Sequence, residues 1–329
     1  MILGIGEIEV TPPVLLAPMA GITDRPFRQI GARFGAGLVV SEMVATAEML
    51  TQRPSVKARA EIAAGAARTA VQIAGRDAVP MAEAARRIAG EGAPLIDINM
   101  GCPAKKVTSG ASGSALMREP DHALRLIEAV VGAVDVPVTV KMRLGWDHDS
   151  LNAPEIARRA EAAGVAMVTV HGRTRCQFYK GAADWEAVGA VVRAVSIPVV
   201  VNGDITGPVE AAQALARSGA AAVMVGRGAQ GRPWVLGQVA AGLAGRPLPD
   251  RPRGHALAGL VAEHLEAHLA FHGPEVGLRT FRKHLDAYCG ALTDARALRD
   301  RMMREREPRA LLALVCEGFP DHDQRRQAA

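Results

Sequence analysis

Asp97-Ile-Asn-Met-Gly-Cys-Pro-Ala-Lys-Lys-Val107 is the stretch from which the architecture can be read. An apolar run of Leu95, Ile96, Ile98 and Met100 is broken by Gly101 and Pro103, the pattern of a short buried strand giving way to a loop. Cys102 therefore falls at the carboxyl end of a strand, where α/β enzymes carry their chemistry. Lys105 and Lys106 follow at once, and nearby cations tune a thiol. A cysteine taken alone is more often a small buried hydrophobe; its place after a strand argues for more.

The same pattern recurs on both sides of this segment. Short apolar runs cover Val14–Met19, Leu38–Met43, Thr69–Ile73, Leu95–Met100, Val138–Met142, Met167–Val170, Val199–Val201 and Ala222–Val225, eight in all. Between them lie stretches with helical spacing of apolar residues, among them Asp77–Ala89, Asp121–Val131, Ala153–Ala163 and Val209–Arg217. Asp77, Asn152 and Thr206 stand where caps would start such helices. Alternating strands and helices imply a parallel sheet, and eight is the number that closes a (β/α)8 TIM barrel of the α/β class. A Pro- and Gly-rich linker covers Gly242–Arg253, and helix-favouring residues follow at Ala256–Phe271, Gly277–Tyr288, Ala295–Arg304 and Pro308–Cys316. The expected division is a barrel over residues 1–245 and a small all-helical domain over 246–329.

Composition narrows the function classes. Aromatic residues make up 3% of the chain, too few for stacking on many bases. A net charge of +5 permits a polyanionic partner without requiring one. Cys102, Cys176, Cys289 and Cys316 lie far apart, with no paired spacing of the zinc type. Reduced thiols, a cytoplasmic setting and no metal are expected. No run of apolar residues is long enough for a signal peptide or a membrane span.

A barrel brings its strand ends to one face. Here that face would collect Pro18, Met19 and Ala20, then Glu42, Gln72, Asn99 with Cys102, Lys141 with Arg143, His171 with Arg173, Asn202-Gly203-Asp204, and Gly226-Arg227. So many polar residues at the mouth of an apolar barrel call for a polar ligand. The loops at Asn202 and Gly226 follow the last two strands, where barrels commonly hold phosphate. Gly226–Gly231 also spells G-x-G-x-x-G, but no further strand follows, so no dinucleotide-binding βαβ unit can form. Lys141 would be costly to bury without an anion, and a cation beside the pyrimidine edge of a flavin stabilises the reduced ring. One phosphate, one polar ring edge and no dinucleotide fold fit flavin mononucleotide.

Seven ordered motifs carry a family resemblance: Leu16-Ala-Pro-Met-Ala-Gly-Ile-Thr-Asp-Arg-Pro-Phe27, the Asp97–Val107 segment, Gly113-Ser-Ala-Leu-Met117, Val140-Lys-Met-Arg143, Val170-His-Gly-Arg-Thr-Arg175, Val201-Asn-Gly-Asp-Ile205 and Gly226-Arg-Gly-Ala-Gln-Gly-Arg-Pro-Trp234. Together they resemble the tRNA-dihydrouridine synthases, most of all the bacterial B type. The resemblance implies FMN over Pro18, Met19 and Ala20, contacted by Gln72, Lys141 and His171, with its phosphate on Asn202, Gly203, Asp204, Gly226 and Arg227. It implies Cys102 as general acid, Asn99 on the uracil, and Arg143 and Arg173 facing RNA. The reaction implied is NADPH-driven reduction of the carbon-5/carbon-6 double bond of uridine in the tRNA D-loop. A monomer is expected, with Lys105, Lys106, Arg279, Arg282 and Lys283 gripping tRNA phosphates. The chain departs from the family pattern at Gly172, where many relatives carry alanine. A dehydrogenase acting on a free pyrimidine and a binding module without turnover are the rival readings.

Overall fold

The computed structural model describes residues 2–49, 61, 69–290 and 296–324. An antiparallel hairpin of β1 (Leu3–Ile5) and β2 (Ile8–Val10) opens the chain. The strands that follow are β3 (Val14–Leu16), β4 (Leu38–Val40), β5 (Val44–Ala45), β6 (Thr69–Ala74), β7 (Leu95–Met100), β8 (Val138–Arg143), β9 (Met167–His171), β10 (Val199–Asn202) and β11 (Ala222–Val225). All nine are parallel; β4 pairs with both β3 and β6, which closes a barrel of eight, and β5 only flanks β6.

The strands alternate because the barrel has an inside and an outside. On β7, Ile96, Ile98 and Met100 join the large layer under the helices, while Leu95 joins a second cluster inside the barrel. That inner cluster contains Leu15, Leu38, Val40, Ala70, Met167, Val200, Ala222 and Met224, and the hairpin adds Leu3, Ile5 and Val10 to it. The hairpin thereby stoppers the amino-terminal end of the barrel. Farther along the strands the inward positions turn polar: Gln72, Asp97, Asn99, Thr139, Thr169, His171 and Asn202 are all buried. One strand thus combines an outer face that stabilises, about 1.5–3 kcal/mol per buried Val, Leu or Ile, with an inner face that turns polar toward its carboxyl end.

All eight expected barrel strands form, Leu95–Met100 and Ala222–Val225 with the bounds as read and the other six with a shifted end. The first stops at Leu16, short of Met19, since Pro18 has no N–H to give a ladder. The second stops at Val40, where Ser41 turns its hydroxyl onto the carbonyl of Glu42. The hairpin was not anticipated. The caps are also corrected. Asp77 sits at a cap position without a capping bond, Asn152 gives its amide to Met117 O at 2.7 Å, and Gly207 rather than Thr206 begins the Pro208–Ser218 helix. Asp24 and Asp184 do cap, accepting from Phe27 N at 3.1 Å and Ala187 N at 2.9 Å.

The tail forms helices Gly254–His272, Pro274–Gly290, Arg296–Arg304 and Pro308–Gln324. The expected start of the third at Ala295 lies outside the described residues. Their apolar faces share one cluster with Ile30 and Trp234 of the barrel's outer helical layer. Arg33 pairs with Glu263 at 2.5 Å across this junction. No helix among the described residues is long and apolar enough to cross a membrane.

Candidate active site

Inside the barrel mouth a directed hydrogen-bond chain begins at Asp97. This carboxylate accepts from Thr139 Oγ1 at 2.6 Å and from Gln72 Nε2 at 2.7 Å. Gln72 Oε1 then accepts from Asn99 Nδ2 at 2.7 Å. Asn99 Oδ1 accepts from the backbone N–H groups of Gly101, at 3.2 Å, and Cys102, at 3.0 Å. An acceptor-only group at one end and backbone donors at the other fix which way both amides point. The carbonyl of Cys102 is held as well, by Ser114 N at 3.1 Å and Ser114 Oγ at 2.8 Å. Cys102 is therefore anchored through its backbone, and its free, half-buried thiol keeps only side-chain rotation.

Asp97 is the residue that sequence reasoning missed. Its signal was an acid between Ile96 and Ile98, at an inward position of a buried strand. Burial pushes its carboxyl up to about 6, against the hydrogen bonds from Thr139 and Gln72 and the charge of Lys141. Lys141 faces Asn99 in the β7–β8 register. Enclosure by protein lowers its ammonium to about 8; Arg143 adds repulsion, and Asp97 and Cys102 attract. His171 ends the next strand. Burial, then Lys141, Arg143, Arg173 and Arg227, push it well below the ordinary histidine value, so the ring is neutral.

The loops after β10 and β11 flank this group. Asn202 gives its amide to Met224 O at 2.7 Å, tying the two strand ends together. Gly203, at φ +115°, leaves no room for a Cβ, which would stand 2.8 Å from Ala183 Cβ and 2.9 Å from the His171 ring. Asp204 accepts from Arg173 Nη2 at 2.5 Å and Ala183 N at 2.8 Å, with Arg227 at 3.7 Å. Partial burial works to raise its carboxyl, but these bonds and charges hold it below its usual value. Pro18 and Met19 are half-buried and Ala20 exposed on the turn after β3, which Thr23 fastens by accepting from Met19 N at 2.8 Å. Gly172 also fits closely: a Cβ there would meet Asp184 O at 2.8 Å.

Arg143 and Arg173, expected to face RNA, do not reach the surface; each is 2% exposed. Arg143 donates to Gly101 O at 2.8 Å, Thr174 O at 2.7 Å and Phe178 O at 2.9 Å, clamping the Cys102 loop to the loop after β9. Arg173 donates to Lys180 O, at 3.2 Å, and Gly181 O, at 2.6 Å, besides Asp204. The physical reason is that a planar guanidinium satisfies several converging carbonyls at once. What stands exposed above them instead is an edge-to-face pair, Phe178 and Tyr179, with Arg227 over the Tyr179 ring at 4.7 Å.

Of the remaining candidates, Lys105, Lys106, Arg279 and Lys283 are exposed and Arg282 is half-buried. Lys283 is the one the fold brings to the mouth: its Nζ lies beside Gly21, and Gln230 Nε2 donates to its carbonyl at 3.4 Å. Arg282 Nη2 reaches Glu305 O at 3.5 Å, within the tail.

The family model for dihydrouridine synthase (Dus) matches residues 15–321. A probable tRNA-dihydrouridine synthase of Rhodobacter capsulatus is 63% identical over 325 residues, which cover 98% of this chain and 99% of that protein. A tRNA-dihydrouridine synthase B of Xanthomonas campestris is 47% identical over 315 residues, or 96% of this chain and 95% of that one. Among solved structures, a morphinone reductase in complex with tetrahydroNAD superposes with a TM-score of 0.52 at 15% identity, over 76% of this chain and 91% of the other. That likeness is one of fold.

Proposed function

The chain belongs to the dihydrouridine synthase family, and from that premise we propose that it reduces the carbon-5/carbon-6 double bond of uridine in the D-loop of tRNA. The reductant is NADPH, the bound carrier FMN, and the proton donor Cys102. The observation that carries this reading is the chain from Asp97 through Gln72 and Asn99 to the backbone of Cys102, with Lys141 opposite Asn99.

The residues fit FMN. Lys141 is an enclosed cation, and Arg173 Nη1 is a buried donor without a hydrogen-bond partner; both are costly unless an anion comes near. Lys141, His171 and the second N–H of Gln72 would hold the polar edge of the ring system, above Pro18, Met19 and Ala20. Asn202, Gly203, Asp204, Gly226 and Arg227 would hold the phosphate, with Arg173 and Arg227 offsetting the charge of Asp204. When bound, FMN supplies the hydride that reaches carbon-6 of the uracil.

The chain's own residues supply the rest. Cys102 delivers a proton to carbon-5, and a thiol gives it up more readily than a hydroxyl would. Asn99 and Ser114 hold the loop so that the sulfur meets the base from one side. A base in a folded RNA reaches such a pocket only by leaving its stack. Lys105, Lys106, Arg279, Arg282 and Lys283 would steady the surrounding phosphates, with residues 1–245 as the catalytic unit and 246–329 as the tRNA-binding one. Lys283 has the strongest claim among them, reaching the mouth from the tail.

The test separates the two half-reactions. Cys102→Ala is expected to retain FMN and NADPH oxidation while forming no dihydrouridine in transcribed tRNA. Full product from that variant removes Cys102 from the proton step.

A further inference from the structure

Where the tail meets the barrel, four side chains outside the catalytic mouth converge in the protein interior. His264 and His284 are 0% exposed, His268 2% and Asp24 3%. One ligand-type atom from each of the four lies within 4.8 Å of all the others. Both ring nitrogens of His284, and Nε2 of His264, are buried without a hydrogen-bond partner. Each such orphan costs about 1–3 kcal/mol, and three in one cluster is a debt that a native fold does not leave standing.

The bonds at the edge of the cluster orient its rings. Thr280 Oγ1 donates to Val276 O at 2.8 Å, so at its 2.8 Å contact with His268 Nε2 it accepts. Nδ1 of His268 lies 2.9 Å from Asp24 Oδ2 without hydrogen-bond geometry. A cation between the two would make them a pair of ligands. His264 Nδ1 lies 3.2 Å from the Tyr288 hydroxyl, which leaves Nε2 as its inward atom. A second partner on the far nitrogen is how metal-bound imidazoles are oriented.

We propose that Asp24, His264, His268 and His284 form a structural metal site of the zinc class, fastening the helical tail to the barrel. Three imidazoles and one carboxylate suit zinc in donor type and number. Ligand atoms around tetrahedral zinc stand about 3.3 Å apart, so the cluster tightens modestly onto the ion. With no ligand exposed, the set is closed, which marks a structural rather than a catalytic site. Asp24 caps the Arg25–Arg33 helix through Phe27 N, His264 and His268 lie one turn apart on Gly254–His272, and His284 comes from Pro274–Gly290. The ion therefore joins the first βα loop to two tail helices.

A rival account satisfies Asp24 from its other side: His272 Nε2 lies 2.7 Å from Asp24 Oδ2. It leaves His284 and His264 Nε2 as orphaned as before. The sequence expectation of no metal rested on close cysteine and histidine spacings; here only His264-x-x-x-His268 is local, and the other two ligands are remote.

The experiment uses the full chain, purified without a histidine tag or chelator and with flavin intact, and reads metal content by elemental analysis. Zinc near one equivalent per chain is expected, lost in His264→Ala and His284→Ala and kept in His255→Ala, an exposed histidine of the same helix. Zinc below about a tenth of an equivalent after incubation with zinc sulfate overturns the proposal. So does zinc retained by the His264→Ala/His284→Ala double variant. Should the variants fail to fold, cobalt-grown unsubstituted protein decides: tetrahedral ligand-field bands to the red of flavin absorption support the site, and their absence sinks it. None of these readouts depends on dihydrouridine formation, so failure here is distinguishable from failure of the proposed reaction.

Discussion

Replacing Asp97 with asparagine probes the electrostatics of the barrel mouth while sparing its hydrogen-bond direction. The new side-chain amide can still accept from Gln72 through its oxygen and turn its nitrogen toward Thr139 Oγ1, whose hydroxyl can accept instead. What disappears is a titration. Burial raises Asp97 to about 6 from its ordinary 3.8. A raised carboxyl favours folding while protonated: the contribution is fully present below the unfolded value and is lost as pH rises through the folded one. The whole shift corresponds to about 3 kcal/mol. Between about pH 5 and about pH 7.5 the linkage relation leaves about 1.4 kcal/mol of it to be lost. Urea unfolding of both proteins across that range should show the wild-type chain losing about that much stability relative to Asp97→Asn. A difference between the two that stays flat, within about 0.3 kcal/mol, would refute the reasoning. The same variant deprives Lys141 of a nearby negative charge, so its ammonium should titrate below the present value of about 8.

The other predictions are shorter. In Lys141→Met the flavin should be held less firmly; in the parent enzyme the rate should fall as pH rises through about 8, and the variant's pH–rate profile should lack that limb. Arg143→Lys keeps a cation but loses the fork that bonds three carbonyls. Hydrogen exchange should quicken at residues 101–104 and 174–178, with a stability loss of about 2–4 kcal/mol; unchanged protection there contradicts the clamp. Gly203→Ala places a Cβ against the His171 ring and should cost about 2–3 kcal/mol by thermal or urea denaturation. Lys283→Glu should weaken tRNA binding and flatten its dependence on salt, with melting behaviour left intact.

The barrel was legible because alternation was legible. Eight short apolar runs separated by helical stretches imply a parallel barrel, while the two different faces of one strand, with Asp97 between Ile96 and Ile98, became visible only in the fold. Strand ends were less visible: the apolar character of Val14–Met19 runs through Pro18 although the ladder cannot. The amino-terminal hairpin escaped because three-residue strands give too little period to detect. At the site, residue types told which side chains enter the mouth but not what they do there. Arg143 and Arg173 occupy strand ends as read, yet their carbonyl partners come from loops up to 42 residues away, a relation that no local pattern encodes. The convergence of Asp24 with His264, His268 and His284 is hidden for the same reason.

The hairpin under the barrel has a kinetic consequence. Leu3, Ile5 and Val10 fill the floor of the cylinder with side chains, so whatever enters the catalytic mouth departs by the same doorway. For the reaction proposed above, nicotinamide donor and transfer RNA would then take turns: the oxidised donor would vacate before a uridine came in, and each visitor in excess would compete with the other. Initial-rate plots at several donor concentrations should run as parallel lines, the mark of an enzyme that exchanges its two clients through one gate.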